Sequence, residues 1–328
     1  MMNLTTKLDH KQAAGLLLQG DNFVIICHAS PDGDTLGGAY ALCGALQKLQ
    51  KTARVITPEK PSPRFDYLKN ALVETAEIDT ENEIIITVDV ADKTLLGDCE
   101  KTHGDRVLLC IDHHVSNTEY AQNLLLESES SSACEVVFEL IKKLSEIAGK
   151  NLMNTDIAAC LYTGLSTDTG CFKFSNTNAA SHRHAAELFE YGFDSANLNY
   201  LLFEMRTPER LNLERQALES VEYFFGGKCA IITLSAVMME GADEEDLNAI
   251  SSVPRQIDGV ELGVTLKEKA AGIWKISLRS NSYVNSQKIC AALGGGGHKR
   301  AAGCRIKGTV EECKVRILDE IGKHILDK

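Results

Sequence analysis

The feature that most constrains the fold is an alternation of two patterns along the first half of the chain. Short apolar runs bounded by turn residues alternate with stretches of helical periodicity, which is typical of parallel α/β proteins. Strands are predicted over residues 23–28, 53–57, 84–89 and 107–112. Helices are predicted over residues 35–49, 133–148, 155–165 and 178–191. We therefore expect a parallel sheet covered by helices.

The same alternation restarts after Gly226 and Gly227, which end a predicted helix over residues 207–225. Strands follow at 228–235, 260–267, 273–280 and 301–306, and helices at 242–250, 285–293 and 309–326. A length of 328 residues fits about two domains. We predict a parallel-sheet domain over residues 1–190, a helical linker over 191–225 and a smaller α/β domain over 226–328.

The charge balance limits the partners of such a protein. There are 34 Lys and Arg residues against 46 Asp and Glu residues, so the formal net charge is −12. An acidic surface repels long polyanions, which argues against a protein that coats or slides along duplex nucleic acid. The remaining candidate partners are small substrates, or short anions that bind where the negative charge of the protein is locally compensated.

The cysteines and the apolar runs indicate a cellular compartment. The 11 cysteines are scattered and include no C-x-x-C pair, which is typical of reduced thiols. Neither a secretory leader nor a run of about 18 apolar residues is visible. We expect a soluble, cytoplasmic protein with no membrane partner.

Three of the four first-half strands end in side chains that carry chemistry. These side chains are His28, Asp32 and Asp34 after the first strand, Asp89 at the end of the third, and Asp112, His113 and His114 at the end of the fourth. Ligands of open parallel sheets bind outside the carboxyl ends of the strands, so these groups are predicted to meet in one crevice. Asp168 follows a predicted helix and needs the tertiary fold to join them.

This set of residue types favours a two-metal site. Carboxylates and neutral imidazoles suit Mn²⁺ or similar ions, and the lack of paired cysteines argues against a thiolate zinc site. The four carboxylates of Asp32, Asp34, Asp89 and Asp168 carry a charge that two divalent cations would cancel. Two such ions about 3.5 to 4 Å apart can clamp the attacking and leaving oxygens of a phosphoryl transfer.

Each segment alone has a simpler explanation. Asp32 and Asp34 flank a glycine, as in a common turn, and Asp89 could cap a helix. Of two adjacent histidines, one is usually packed and the other solvated. None of these explanations accounts for the joint placement of Asp and His at three separate strand ends.

Taken together, these segments resemble the DHH phosphoesterase superfamily. The resemblance lies in HASPDGD at 28–34, VDV at 88–90, DHHVSN at 112–117 and GLSTDTG at 164–170. The segment GGGGHKRAAG at 294–303 is similar to the signature of the associated DHHA1 domain. The resemblance implies a DHH domain and a DHHA1 domain, with the active site in the cleft between them.

The resemblance also implies a role for each position. His28 and Asp32 would bind one metal ion, Asp34, His113 and Asp168 the other, and Asp89 both; the ions would be two divalent cations, with Mn²⁺ expected. Asp112 would orient a histidine. His114 would contact the scissile phosphate or protonate its leaving oxygen.

The glycine-rich segment has two interpretations. It lacks a following Lys-Ser/Thr pair, so it is not a P-loop, and a helix C-cap would explain one or two glycines. Four glycines before three basic residues suit close approach of the backbone to an anion. The predicted substrate contacts are Gly295, Gly296, Gly297, His298, Lys299 and Arg300. Arg279 is a further candidate, with a solvated surface arginine as the alternative.

A chain of this length with only these two domains resembles the NrnA group of the superfamily. That implies hydrolysis of short RNA, including linear dinucleotides such as pGpG and pApA, to mononucleotides, and of 3′-phosphoadenosine 5′-phosphate to AMP. A soluble cyclic di-AMP phosphodiesterase is the first alternative, and a non-catalytic nucleotide-binding protein is the second. Short RNA and nucleotides would be the partners, and a homodimer stays open.

Overall fold

A computed structural model describes residues 5–73, 77–242 and 244–325 of the chain. The chain divides into two compact units, Met1–Met205 (unit 1) and Arg206–Lys328 (unit 2). The predicted domain limits at 190 and 226 lie on either side of this division and stay predictions. Residue 243 of the predicted helix over 242–250 and residue 326 of the last predicted helix lie outside the described residues.

Unit 1 is built on a parallel sheet. Its strands are β1 (Thr6–Lys7), β2 (Phe23–Ile26), β3 (Ala53–Ile56), β4 (Ile84–Val88), β5 (Val107–Asp112) and β6 (Asn123–Leu126). Their order is β1-β6-β5-β4-β2-β3, and every neighbouring pair is parallel. The winding of the chain reverses between β2 and β4, where open α/β sheets place their ligands.

Helices cover the sheet of unit 1. They are α1 (His10–Gln19), α2 (Gly33–Lys48), α3 (Glu100–His103), α4 (Ala133–Ala148), α5 (Thr155–Asp168), α6 (Ala179–Phe189) and α7 (Ser195–Asn199). Shorter 3-10 helices span Pro63–Ala71, Lys93–Cys99 and Gly104–Arg106, and a π-helix spans Tyr200–Glu204. Alternate strand residues face two cores: Ile25 and Ile86 share one with α2, α4 and α5, and Val24 and Ile85 share the other with Leu96.

Unit 2 has a mixed sheet. Its strands are β7 (Glu222–Phe224), β8 (Cys229–Leu234), β9 (Leu262–Ala270), β10 (Ile273–Ser280), β11 (Gly296–Gly297) and β12 (Ala301–Lys307). The order is β11-β12-β10-β9-β8-β7, and only β8 and β9 pair in parallel. The helices are α8 (Pro208–Glu219), α9 (Glu244–Ile250), α10 (Ser286–Ala292) and α11 (Val310–Ile325), with 3-10 turns at Phe225–Gly227 and Pro254–Gln256.

The two faces of this second sheet are covered differently. Val264 and Ile276 share a buried cluster with Ile289 of α10 and Ile317 of α11. On the opposite face, Ile232 and Leu234 of β8 pack with residues of α8 and α9. The two sheets confirm the predicted α/β class with a parallel sheet in the N-terminal part.

Two predictions about elements need correction. The helix expected over 207–225 ends at Glu219, and Glu222–Phe224 instead forms the edge strand β7, paired with β8. Val221, Tyr223 and Phe224 are β-branched or aromatic residues, which favour a strand at a sheet edge. Strands β1, β6 and β11 were not predicted, because runs of two to four residues carry too little periodicity.

The described residues bear on two predictions, one about membrane-spanning segments and one about reduced cysteines. Among the described residues, no helix combines the length and apolar character needed to cross a membrane. The 11 cysteines are free, and all except Cys99 and Cys171 are buried. They act here as small apolar core residues, as free cysteines usually do.

Candidate metal centre

The turn after β2 carries the first predicted ligands. Asp32 caps α2, since its Oδ1 accepts hydrogen bonds from the backbone N–H groups of Asp34 (3.0 Å) and Thr35 (3.2 Å). The same oxygen lies 3.6 Å from His28 Nε2. Thr35 fastens this turn to the next strand, because its hydroxyl donates to the Val88 carbonyl at 2.7 Å. Asp32 therefore acts as a helix cap and also faces His28.

Asp34 is buried against the N-terminus of α4. Its Oδ2 accepts the Ala133 N–H at 2.6 Å and its Oδ1 accepts the Cys134 N–H at 2.9 Å. Free N–H groups and the helix dipole favour a negative charge at this position. Helix α5 approaches so closely that a Cβ on Gly164 would lie 2.6 Å from Asp34 Oδ1. Burial and the neighbouring Asp32 carboxylate raise the pKa of Asp34 to about 7.

Asp89 follows β4 in a left-handed backbone conformation, with φ +61°. Its N–H donates to the Ile111 carbonyl at 2.9 Å, which fixes this uncommon geometry. Its Oδ2 lies 3.7 Å from His28 Nε2, and its Oδ1 lies 3.6 Å from His113 Nε2. Burial, and then the Asp34 carboxylate, raise the pKa of Asp89 well above its usual value.

Asp112 organises the turn after β5. Its Oδ1 accepts the N–H groups of His113 (2.8 Å) and His114 (3.2 Å) and faces His114 Nδ1 at 2.9 Å. Its Oδ2 accepts from Asn117 Nδ2 at 2.6 Å. The histidine that Asp112 orients is thus His114. His113 is held from elsewhere, with Nδ1 3.1 Å from the Ser130 carbonyl.

Asp168 reaches the site from the last turn of α5, and not from a loop after it as the sequence predicted. The helix extends past Leu165 to Asp168, and the hydroxyls of Thr167 and Thr169 donate back to the carbonyls of Thr163 and Leu165. Asp168 Oδ2 lies 3.6 Å from His113 Nε2. Burial and the nearby Asp34 carboxylate raise the pKa of Asp168 to about 7.

These side chains form three groups that could each hold a cation: Asp89, His113 and His114, which overlaps the others, and two groups that have no residue in common. One consists of His28, Asp32 and Asp89 (the first group), and the other of Asp34, His113 and Asp168 (the second group). Within each group the candidate ligand atoms lie within 4.8 Å of one another. Asp89 is in reach of both, because its two oxygens face one histidine of each group.

The residues present fit divalent cations. Asp89 Oδ1 is buried and has no hydrogen-bond donor among the described residues. The nearest ring nitrogen, His114 Nδ1, lies 3.3 Å from Asp89 Oδ1 but only 2.9 Å from Asp112 Oδ1. A buried carboxylate oxygen without a donor, in a cluster of mutually repelling carboxylates, is in the environment that a metal ion stabilises.

His114 lies at the rim of this cluster. Its side chain is 44% exposed, whereas those of His28 and His113 are mostly covered. The hydrogen bond to Asp112 and the nearby Asp89 carboxylate raise the pKa of His114 to about 11, so the ring is cationic at neutral pH. A cationic donor at the edge of a carboxylate cluster can bind an anion that the cluster alone would repel.

The glycine-rich segment of unit 2 first ends a helix and then forms a hairpin. Gly294 follows α10 with φ +77°, and the Gly295 N–H donates to the Cys290 carbonyl at 2.8 Å. Strand β11 pairs with β12, and the His298 N–H donates to the Ala301 carbonyl at 2.7 Å. A Cβ on Gly295 would lie 2.2 Å from the Gly303 carbonyl oxygen, and one on Gly297 would lie 2.6 Å from that of Ala301. These two glycines therefore allow the backbone to pack on β12. His298, Lys299 and Arg300 are exposed at the turn.

A cavity of about 400 Å³ lies beside this hairpin. It is lined by Gly294, Gly295, Gly296, Gly303, Cys304, Lys275 and Arg305. Of the predicted substrate contacts, only Gly295 and Gly296 belong to this lining. Arg279 pairs with Ala301 at the base of the hairpin, where burial and the nearby Arg255 lower its pKa.

Lys275 and Arg305 are basic residues that sequence reasoning missed. Lys275 lies directly opposite Arg305 on β12 and Lys267 on β9, so three cations are in register across three strands. Like charges placed opposite each other destabilise a sheet. Lys267 is buried and donates to the Leu247 carbonyl, but in the described part of the chain no carboxylate pairs with Lys275 or Arg305. In the sequence, the only local sign of these two residues was that each alternates with apolar residues along its strand.

Comparisons with known protein families match two separate parts of the chain. Residues 22–165 match the model of the DHH family, N-terminal domain, and residues 227–326 match that of the DHHA1 domain. A bifunctional oligoribonuclease and PAP phosphatase NrnA of Thermus thermophilus is 29% identical over 92% of this chain and 89% of its own length. The cyclic-di-AMP phosphodiesterase PdeA of Listeria monocytogenes is 23% identical over 94% of this chain, which spans 48% of that protein.

Solved structures show the same fold. An exopolyphosphatase-related protein from Bacteroides fragilis superimposes with a TM-score of 0.83 at 22% identity, covering 96% of both chains. The exonuclease RecJ bound to manganese superimposes with a TM-score of 0.56 at 17% identity, covering 97% of this chain and 95% of that one. With both domain models matched in order, the chain belongs to the DHH/DHHA1 phosphoesterase superfamily and resembles its NrnA members.

Proposed function

We propose that the protein is a metal-dependent phosphoesterase that hydrolyses short oligoribonucleotides to mononucleotides and 3′-phosphoadenosine 5′-phosphate to AMP. The observation that carries this proposal is the position of Asp89 between the two candidate ligand groups. One carboxylate in reach of both groups is the arrangement that a pair of neighbouring cations requires.

The first group would hold one cation and the second group the other, with Asp89 shared by both. Mn²⁺ is the proposed metal because oxygen ligands mixed with imidazole suit it, and because RecJ, which shares this fold, was solved with manganese. Such a pair of cations supplies an activated water and neutralises charge on the phosphate oxygens. Ser130 and Asp112 keep the histidine rings oriented around that position.

His114 is the proposed contact to the reacting phosphate. Asp112 holds its Nδ1, and Nε2 has no hydrogen-bond partner in the described part of the chain. Since the ring is cationic and half-exposed, Nε2 can donate a proton to a phosphate oxygen or to the leaving oxygen. The buried carboxylate of Asp112 stabilises the charged ring, as a carboxylate does beside a catalytic histidine.

Unit 2 is proposed to bind the rest of the substrate. The cavity beside the hairpin carries Lys275 and Arg305, and Gly296 exposes its backbone there, since a Cβ on it would meet open space. Phosphate groups and sugar hydroxyls suit such a surface. His298, Lys299, Arg300 and Arg279 stay proposed contacts on the other parts of the hairpin.

The substrate class rests on the relatives. NrnA proteins are named for oligoribonuclease and PAP phosphatase activity, and they match this chain over most of its length. The second candidate is cyclic di-AMP hydrolysis, favoured by the similarity to PdeA. This chain spans about half of PdeA, so the activity of the whole PdeA protein is weaker evidence for the activity of this chain.

The test is a comparison of kcat/KM across substrates with purified protein and Mn²⁺. The panel is 3′-phosphoadenosine 5′-phosphate, pGpG, a 5-mer RNA, a 24-mer RNA and cyclic di-AMP, each also run with a chelator. We expect the short linear substrates to be preferred and the chelator to abolish turnover. A preference for the 24-mer would contradict the short-substrate proposal, and a preference for cyclic di-AMP would favour the second candidate.

A further inference from the structure

A cluster of polar residues lies behind the metal centre and takes no part in the chemistry proposed above. Glu135 of α4 is buried, and its Oε1 lies 2.9 Å from Nδ1 of His184 on α6. Its other oxygen, Oε2, accepts hydrogen bonds from the backbone N–H (2.6 Å) and the hydroxyl (2.7 Å) of Ser131. These polar partners offset the cost of removing the Glu135 carboxylate from water.

Ser131 lies in the turn of residues 130–134, which precedes and begins α4, and three further contacts hold this turn. The Ser181 hydroxyl donates to Ser131 Oγ at 2.9 Å. Asn176 Nδ2 donates to the Ser131 carbonyl at 3.0 Å, and the Ser132 hydroxyl caps the helix through the Glu135 N–H. The turn is thus fixed by side chains from α4 and α6 and from the segment between α5 and α6.

Every member of the second group is tied to this one turn. His113 Nδ1 faces the Ser130 carbonyl, and Asp34 accepts the N–H groups of Ala133 and Cys134. Asp168 is tied through Asn176, whose amide also bonds to the Asp168 carbonyl at 3.1 Å. A shift of the turn would therefore displace all three ligands together.

The first group is held differently. Asp32 accepts hydrogen bonds from the first turn of its own helix, and His28 N–H lies 3.4 Å from the Thr35 hydroxyl, which bonds to Val88. None of these contacts involves residues 130–134. The two groups share Asp89 and one hydrogen bond, from the Asp34 N–H to Asp32 Oδ1, and their other contacts are separate.

We propose that Glu135, paired with His184, is a positioning residue that fixes the turn of residues 130–134 and through it the second of the two cation sites. This inference rests on the proposed function, because it assumes that the second group holds a cation. The charge on His184 supports the pairing: the contacts with Glu135 and Glu139 raise the pKa of His184 to about 9, so it is cationic at neutral pH.

The chain offers a matched control for this pairing. Glu139 lies one turn along α4 and contacts the same histidine, with Oε1 3.1 Å from His184 Nε2. Its side chain is partly exposed and bonds to Lys142, and it makes no hydrogen bond to the turn. Glu139→Gln removes one negative charge beside His184, as Glu135→Gln does, but leaves the contact to Ser131 intact.

The experiment measures Mn²⁺ binding to the full chain by isothermal titration calorimetry. Wild type is expected to bind two ions per chain. In Glu135→Gln and His184→Gln one of the two ions should bind about 10- to 100-fold more weakly, the usual effect of losing an outer partner of a metal ligand. The other ion should bind as in wild type, and so should both ions in Glu139→Gln. Activity of Glu135→Gln should recover at high Mn²⁺ concentration, with KM unchanged.

Other outcomes separate the two proposals. Two ions bound equally well by wild type and Glu135→Gln, or both weakened equally, would overturn the positioning role and leave the proposed function intact. A wild-type chain that binds no Mn²⁺ and hydrolyses no substrate would overturn the proposed function, and this inference with it. If Glu135→Gln unfolds, Ser181→Ala removes one support of Ser131 with little change in volume and is read in the same way.

Discussion

The metal centre of unit 1 and the cavity of unit 2 contain opposite charges and are built in opposite ways. The candidate ligands follow buried strands or begin and end buried helices, and backbone N–H groups or a carbonyl hold the side chains of Asp32, Asp34 and His113. Lys275 and Arg305 lie opposite each other on β10 and β12 and have no carboxylate partner in the described residues. Bond cleavage requires ligands held at fixed positions, whereas binding an anion depends mainly on charge.

The largest effect is expected from removing the carboxylate that is shared by both ligand groups. Asp89→Ala should lower kcat by more than about 100-fold, since the loss of an outer partner alone typically costs 10- to 100-fold and this change removes a ligand from both ions. Steady-state kinetics with Mn²⁺ and pGpG provide the measurement. Asp98→Ala, an exposed carboxylate in the Lys93–Cys99 turn, is the control and should behave as wild type. Near wild-type turnover in Asp89→Ala would refute the site assignment.

A second variant tests whether His114, at the edge of the ligand cluster, acts on the substrate or binds a metal ion. His114→Gln should lower kcat by about 100-fold, the lower range for a group that transfers a proton in the transition state. Mn²⁺ affinity, measured by titration calorimetry, should stay close to that of wild type. A loss of one bound ion in this variant would instead make His114 a ligand, a role its place beside Asp89 and His113 also permits geometrically.

In unit 2 the expected effects are smaller and appear in KM. The double variant Lys275→Gln, Arg305→Gln should raise KM for a 5-mer RNA by about 10-fold with little change in kcat, and should weaken its dependence on salt. His298→Ala should also raise KM, so the two variants show which side of the hairpin contributes more. Lys288→Gln, an exposed cation on α10, is the control. Equal KM values in all these proteins would exclude unit 2 from substrate binding.

The smallest expected effect concerns stability behind the metal centre. The folded-state pKa of His184, about 9, lies above its ordinary value of 6.5, so its ion pair stabilises the fold below about pH 6.5 and this contribution is lost as the pH rises through 9. The groups that face it are Glu135, Glu139 and the nearby Lys142. His184→Gln should lower Tm by a few degrees near pH 7, and the difference from wild type should shrink near pH 10. A difference independent of pH would mean that packing, not charge, is responsible.

The strand-end ligands could be predicted from the sequence because each of them follows a strand of the predicted sheet. Asp89 and His113 could be placed on one edge once β4 and β5 were predicted as strands of one parallel sheet. Their supports could not, since Asn176 and His184 reach the turn of residues 130–134 only through tertiary packing. Asn117 lay in a recognised motif, but nothing local indicated that it bonds to Asp112.

Unit 2 was harder to predict for a different reason. A run of glycines is compatible with a helix end, an anion loop and a tight hairpin, and here Gly294 ends α10 while Gly296 and Gly297 pair with β12. Lys275 and Arg305 lie on strands with ordinary alternation, so their register, which places them opposite each other, depends on the sheet and not on a motif.

The contact of Asp34 with the start of α4 joins positions about 100 residues apart in the chain. The proposed ligands themselves begin at His28 and end at Asp168, so a growing polypeptide cannot complete the centre until α5 has left the ribosome. Metal loading of the proposed centre would therefore follow synthesis of the chain as far as Asp168, and ions that bind only the assembled centre would favour the folded form by mass action. Metal starvation would then reduce the lifetime of the newly made protein as well as its activity.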